Sequence, residues 1–368
     1  MIEVLQYGLS PNRAGIETYL EKIWRYIDHT YFHFNFIVMR NDQPPCFYET
    51  FQASDCKFYE ITPRRVSPKK NHEDLVNLFQ ENKFDILHFN LNTASYLLPV
   101  AVALRFGCKA IVHSHSSGFP GKKSMSFILH TLNKQRLKKM DVKRIAVSQL
   151  AGEWMFGDSH FDVYHNGVIT EDFAFSQNNR DSIRHSLNCE GKTVIGSAAS
   201  FIPAKNHRFM VDVFEEYLRI NHDAVLWFAG EGALRSSIEE YVRQKGIYNS
   251  VRFLGSRKDM QTVYAGMDML WLPSLVEGYP NVMLEAQCEG LPCLISDCIP
   301  QDTKIMDNTF SLGLNQPIDA WARKIQETVE AQRKNRETCY LDMRNRGTSV
   351  EAEIQRIEKL YEEMLAKC

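Results

Sequence analysis

Two carboxylates with seven residues between them, Glu277 and Glu285, stand out among the side chains of this sequence that could do chemistry. They lie in the string MDMLWLPSLVEGYPNVMLEAQCEGLPCLISD, residues 267–297. An ionised carboxylate only accepts hydrogen bonds, which suits the hydroxyls of a sugar or a ribose. Between the two falls the expected start of a helix, with Pro280 at its first position, where a missing N–H costs nothing. The backbone amides from about Tyr279 to Val282 then have no intrahelical partner. The helix dipole adds partial positive charge there, so the spot favours an anion such as a diphosphate. A nucleotide sugar presents ribose, diphosphate and sugar in that order. On spacing alone, two solvated charges on an ordinary helix would still be the better reading.

The elements around the pair are those of a parallel sheet. An apolar strand over residues 269–272 runs into a Pro-Ser break and a short loop. After the helix, Gly290 stops it and Pro292 bars its return. A second strand over residues 291–295 closes a β-loop-α-β unit. The same alternation runs through the chain. Strands are expected at residues 2–7, 34–39, 57–61, 86–89, 110–114 and 144–148, then at 193–198, 225–229 and from 251. Helices are expected from residue 16, at 72–82, 93–106 and 207–220, up to 244, at 320–333 and at 350–365. The last shows Ile354, Ile357, Leu360, Tyr361 and Met364 at helical spacing. This is an α/β chain whose ligands should bind beyond the carboxyl ends of its strands. At 368 residues it exceeds one compact core. The expected division is residues 1–169 and 170–348, with residues 170–191 as a polar linker, and a terminal helix at 349–368.

Composition excludes several classes. With 44% hydrophobic and 24% charged residues the chain is an ordinary globular one, and no apolar run approaches the roughly 20 residues that span a bilayer. The first residues enter a strand directly, so no signal peptide is expected and the location is cytoplasmic. Net charge is −2, split as +4 over residues 1–170 (20 basic, 16 acidic) and −6 over the remainder (23 basic, 29 acidic). That asymmetry is too small to argue for nucleic acid. Nine cysteines make no disulfide framework. Cys288, Cys293 and Cys298 lack zinc-site spacing and read as buried small hydrophobes, so no metal is expected.

Other stretches carry candidate chemistry. Gly15, between Asn12 and Glu17, follows the first strand, where a glycine lets backbone approach a ligand or simply makes a tight turn. The loop is not the GxGxxG fingerprint of a dehydrogenase. His113, Ser114, His115 and Ser116 fall at a strand end, and alternation sends the two histidines to one side. Residues 122–144 carry eight basic side chains, from Lys122 and Lys123 to Lys143 and Arg144, against one acid, Asp141. Interleaved apolar residues make this stretch suit an anionic membrane surface, or equally a solvated basic helix over a core. Arg64, Arg65, Lys69 and Lys70 could extend that face. Asn166-Gly167 is a turn by composition.

The segment EGYPNVMLEA closely resembles the E-x7-E signature of family-4 retaining glycosyltransferases with the GT-B fold, and the flanking LPS and GLPCLISD match as well. The resemblance covers nearly the whole chain and is closest to bacterial capsular and exopolysaccharide enzymes. It implies two Rossmann-like domains facing a central cleft, with the final helix returning to the first domain. It also implies transfer of a hexose or N-acetylhexosamine, with retention, from a UDP-linked donor to a glycan or lipid-linked acceptor, without a metal.

Carried over by position, Glu277 with the backbone amides of Gly278, Tyr279, Pro280 and Asn281 would hold the sugar, Val282 belongs to the donor-binding helix start, and Glu285 would hold the ribose. Lys205 and Asn206 match the KN of the diphosphate loop, but Ser200 stands where the family has an arginine, so either that cation is missing or Arg257 or Arg13 substitutes for it. Gly230 belongs to the donor side, residues 255–258 face the nucleobase, and Gly15 faces the diphosphate. His115 would donate to a sugar hydroxyl or to the developing oxocarbenium ion. Lys205 and the helix start would stabilise the departing diphosphate, which together with acceptor orientation can suffice for transfer. Lipid-linked acceptors would favour docking of the basic face at the inner surface of the plasma membrane. Two alternatives remain at this level: another GT-B enzyme such as a nucleotide-sugar epimerase or a phosphorylase, and a non-catalytic nucleotide-sugar-binding protein disabled at Ser200.

Overall fold

The computed structural model describes residues 1–12, 14–40, 43–118, 124–331 and 335–366. Arg13, Lys122, Lys123, Arg333 and Cys368 lie outside these. The chain forms two compact units, Met1–Asn166 with the C-terminal helix Val350–Ala366, and Gly167–Ser349. The two crossings run side by side in the second unit, where the Val168 N–H donates to the Thr348 carbonyl (2.9 Å).

The first unit is a parallel sheet of β1 (Ile2–Tyr7), β2 (Phe32–Met39), β3 (Phe58–Ile61), β4 (Ile86–Leu91), β5 (Lys109–Ser114), β6 (Lys143–Ala146) and β7 (Asp162–Val163). Its order is 3-2-1-4-5-6-7, so the chain reverses direction across the sheet between β1 and β4. β4 reads ILHFNL and is buried throughout, which forces its His88 and Asn90 to find partners inside the protein. The helix Val350–Ala366 packs on this unit through Ile354, Ile357, Leu360 and Tyr361, all at most 4% exposed. Burying four such side chains stabilises the contact by roughly 6–12 kcal/mol before entropy. Lys22 and Glu353 add a buried ion pair at 2.6 Å.

The second unit repeats the plan with β8 (Thr193–Ala198), β9 (Ala224–Ala229), β10 (Val251–Gly255), β11 (Met269–Leu272), β12 (Cys293–Ser296) and β13 (Thr309–Leu312), in the parallel order 10-9-8-11-12-13. Apolar side chains fill both faces. One core gathers Met210, Phe214, Trp271 and Trp321, and the other Ile183, Trp227, Tyr264 and Met283. Cys288 and Cys293 are buried in this unit, and Cys298 is half-buried.

Several expectations need correction. Residues 170–191 are not an irregular linker: they hold a 3-10 turn, Thr170–Phe173, and a helix, Gln177–Ser186, capped by the Ser176 hydroxyl. Its sequence has a single large apolar residue, Ile183, so it shows no apolar stripe. Arg180 and Arg184 instead anchor it to Asp268, each at 2.5 Å. Ser148 ends no strand but caps a helix, Gln149–Phe156. The helix expected from residue 93 begins at Leu98, behind Pro99. The basic stretch forms the helix Met125–Lys138, whose buried side holds His130, Asn133 and Leu137 while Met125, Ile128 and Leu132 are exposed. His130 accepts from the Ala94 N–H and Asn133 donates to the Ala94 carbonyl, so polar groups fix the inner face and apolar ones face out.

Candidate functional site

In the second unit the sheet reverses between β8 and β11, and the loops leaving their carboxyl ends are stitched together there. The β8 loop closes on a short 3-10 turn, Pro203–Lys205, followed by Asn206 in the left-handed region (φ +60°, ψ +36°). Asparagine tolerates that conformation better than most residues. Its side-chain amide donates to the Pro273 carbonyl (3.2 Å). The Leu275 N–H in turn donates to the Ala204 carbonyl (2.7 Å). These two links set Lys205 against Glu277, Nζ to Oε1 at 2.5 Å, with side chains 21% and 10% exposed. One ligand can therefore meet an ammonium for phosphate oxygens and a carboxylate for hydroxyls at the same spot.

Glu277 leads into Gly278, Tyr279 and Pro280, all buried, and then the helix Asn281–Cys288. Pro280 is the N-cap rather than the first helical residue, because its ψ of 114° is extended. Having no N–H, it also contributes no amide to the donor set expected over residues 278–282. Asn281 and Val282 are half-buried in the first turn. Glu285, one turn further and half-buried, accepts from the hydroxyl of Tyr264 at 2.7 Å. Burial, and then the Glu285 charge, push the Tyr264 phenol well above its ordinary pKa, so it stays a donor. The helix is fixed behind the site by Gln287, which donates to the Met283 and Thr303 carbonyls and accepts from the Ile305 and Met306 N–H groups. It ends in a Schellman motif: Gly290 (φ +70°) donates to Gln287 and Leu291 to Ala286.

The remaining donor-side positions divide. Gly230 (φ +152°) lies so close to the β8 loop that a Cβ would stand 2.1 Å from the Ala199 carbonyl oxygen. Glycine there serves backbone packing beside Ser200, which is itself exposed. Arg257, the expected substitute for the missing arginine, is paired through both nitrogens with Asp259 (2.8 and 2.6 Å), so its charge is engaged locally. Burial, and then the Lys205 charge, push His207 at the start of the following helix down to about 4.

In the first unit, Gly15 opens the helix Gly15–Tyr26, is exposed, and has open space where a Cβ would stand. His115 directly follows β5. Its Nε2 lies 2.9 Å from the Asn90 Oδ1, and its ring sits 4.0 Å from that of His113 and 4.8 Å from that of Tyr19. Burial holds His113 and His115 well below the ordinary histidine pKa and takes His88 down to about 3. Three neutral imidazoles thus line up behind this strand end. Sequence reasoning missed Tyr264, for which no local signal exists, and missed His88 and Asn90, whose signal was two polar residues in an otherwise apolar strand.

Residues 192–331 match the protein family described as "Glycosyl transferases group 1". The chain is 29% identical to EpsF of Bacillus subtilis, provisionally named a glycosyltransferase, over 89% of this chain and 87% of that one. It is 25% identical to an Escherichia coli UDP-Gal:alpha-D-GlcNAc-diphosphoundecaprenol alpha-1,3-galactosyltransferase, over 82% of each chain. Among solved structures, Anabaena HepE in complex with UDP and glucose superposes with a TM-score of 0.80 at 16% identity, covering 99% of this chain and all of that one. Two Rossmann-like sheets of this kind constitute the GT-B fold.

Proposed function

We propose that this chain, whose residues 192–331 match the group 1 glycosyltransferase family, is a glycosyltransferase that moves a hexose or N-acetylhexosamine from a UDP-linked donor to a glycan or lipid-linked acceptor, with retention, in surface-polysaccharide synthesis. The observation that carries this reading is the contact of Lys205 with Glu277 at the β8–β11 switch point, in the loop that leads into the helix bearing Glu285. Lys205 is the cation for the departing diphosphate, assisted by the start of the helix Asn281–Cys288. Glu277 takes the sugar hydroxyls, and Glu285, steadied by Tyr264, takes the ribose. No metal enters this scheme, and the exposed Ser200 leaves Lys205 as the diphosphate's main charged contact. The E. coli relative, named for a UDP-Gal donor and a diphosphoundecaprenol acceptor, and HepE, crystallised with UDP, support the donor and acceptor classes.

Peripheral docking on an anionic membrane belongs to the same proposal. Its surface is the outward apolar stripe of Met125, Ile128 and Leu132, continued by exposed Arg136 and Lys139. Among the described residues no helix is long and apolar enough to cross a membrane.

A thermal-shift panel of nucleotides and nucleotide sugars in EDTA tests the donor, because a ligand of the folded state raises its apparent stability. UDP and one UDP-sugar are expected to shift the transition. Glu285→Ala weakens that shift and Glu277→Ala abolishes transfer; full activity in both variants overturns the site assignment.

A further inference from the structure

Behind His115 lies a series of buried polar groups drawn from β1, β4, β5 and the C-terminal helix, and backbone carbonyls orient the one that faces His115. The Asn90 side-chain nitrogen lies 3.0 Å from the Tyr7 carbonyl and 3.3 Å from that of His88. A carbonyl only accepts, so that atom is the NH2 group and Oδ1 is the face turned to His115. The His115 Nε2, 2.9 Å from that oxygen, must then carry a proton. Asn90 also donates to the Gln6 Oε1 (3.1 Å), which orients Gln6 to donate to the Tyr361 hydroxyl (3.1 Å). The Tyr361 hydroxyl also lies 2.7 Å from His88 Nδ1. His88 Nε2 lies 3.1 Å from His113 Nδ1, so one of these two nitrogens carries a proton and the other accepts it. The His113 ring centroid lies 4.0 Å from that of His115, the two planes tilted by 42°.

We propose that Asn90 is a positioning residue that locks His115 as the neutral Nε2–H tautomer, so that His115 meets substrate through the Nδ1 lone pair and selects a hydroxyl that donates to it. This reverses the donor role expected from the family resemblance, and it rests on the transferase reading for what the hydroxyl belongs to. An unprotonated Nδ1 cannot protonate a leaving group or donate a hydrogen bond to a sugar oxygen. Its ligand is a substrate O–H whose own oxygen keeps its lone pairs for another donor. Tyr361 and Gln6 extend the lock into the C-terminal helix, which makes that helix part of the machinery and not only of the fold.

Long-range proton–nitrogen NMR of the full chain labelled with 15N-histidine reads this directly at neutral pH. The His115 signal, identified by its loss in His115→Gln, is expected to show an unprotonated Nδ1 and a protonated Nε2, and to move toward the mixed-tautomer position in Asn90→Ala. A protonated Nδ1 in the unmodified protein overturns the inference without reference to any variant; so does an unmoved signal in a folded Asn90→Ala. In UDP-glucose turnover, His115→Asn, whose amide oxygen replaces Nδ1, is expected to retain about tenfold more activity than His115→Gln, one hydrogen bond's worth. The opposite order also refutes it. UDP binding measured on the same sample separates the two levels: no binding defeats the transferase reading while the tautomer is still decided.

Discussion

Tyr264→Phe removes a contact that links a fully buried side chain to the proposed ribose ligand. It deletes the hydroxyl that donates to the Glu285 Oε2 at 2.7 Å. Tyr264 is fully buried and Glu285 half-buried, so the variant strands no buried donor, and the carboxylate can replace the lost bond with water. A hydrogen bond to a charged acceptor is worth about 1.5–3 kcal/mol, and that access to water puts the stability loss at the low end, about 1.5 kcal/mol. The effect on ligand comes separately. A glutamate released from its anchor must be reordered on binding, and fixing such a side chain costs up to about 1.5 kcal/mol. At 1.4 kcal/mol per tenfold, UDP affinity should fall roughly three- to tenfold. Titration calorimetry with UDP, beside urea unfolding, separates the two numbers. Because the phenol is held protonated, the affinity ratio should be constant through the neutral pH range. Lost stability with unchanged UDP affinity would refute the reasoning: Glu285 would then have no contact with the nucleotide.

Three further outcomes follow from the same geometry. Glu289 is fully buried with no hydrogen bond to either carboxylate oxygen, and Arg336 stands 3.6 Å away, so burial outweighs the attraction and raises its pKa to about 8. A carboxyl raised in the fold stabilises it when protonated, so wild-type stability should decline as pH climbs from about 4.5 to about 8. Glu289→Gln removes that decline; the variant's advantage should grow across the window to at most about 5 kcal/mol, and parallel pH curves in urea unfolding would refute it. Glu353→Ala removes the carboxylate 2.6 Å from the 10%-exposed Lys22 ammonium, and should destabilise by about 3 kcal/mol, with most of the loss recovered in Lys22→Met/Glu353→Leu. If the double variant unfolds as early as the single one, the loss of the ion pair is not the cause. Ile128→Glu with Leu132→Glu should lower co-sedimentation with anionic vesicles severalfold, and undiminished binding would sink the docking face.

What the sequence determined by itself is local. Apolar runs punctuated by glycine and proline mark β8 and β11 to the residue, because a strand buried on both faces needs a continuous apolar run. They also mark the helix that Gly290 terminates. Glu277 and Glu285 were legible for the same reason: one loop and one helix carry both. The helix Gln177–Ser186 was not, because it is held by Arg180 and Arg184 on Asp268 some 85 positions away and not by an apolar stripe of its own. Only the tertiary structure decided which distant groups meet. Lys205 reaches Glu277 across 72 positions because the strand order sets β8 beside β11, and no periodicity in either segment encodes that neighbour. Tyr361 reaches His88 across 273 positions because the chain leaves the first unit and returns to it as its last helix. The protonated nitrogen of His115 lies one step further from the sequence still. It depends on which way the Asn90 amide faces, and the Tyr7 carbonyl decides that from a third strand.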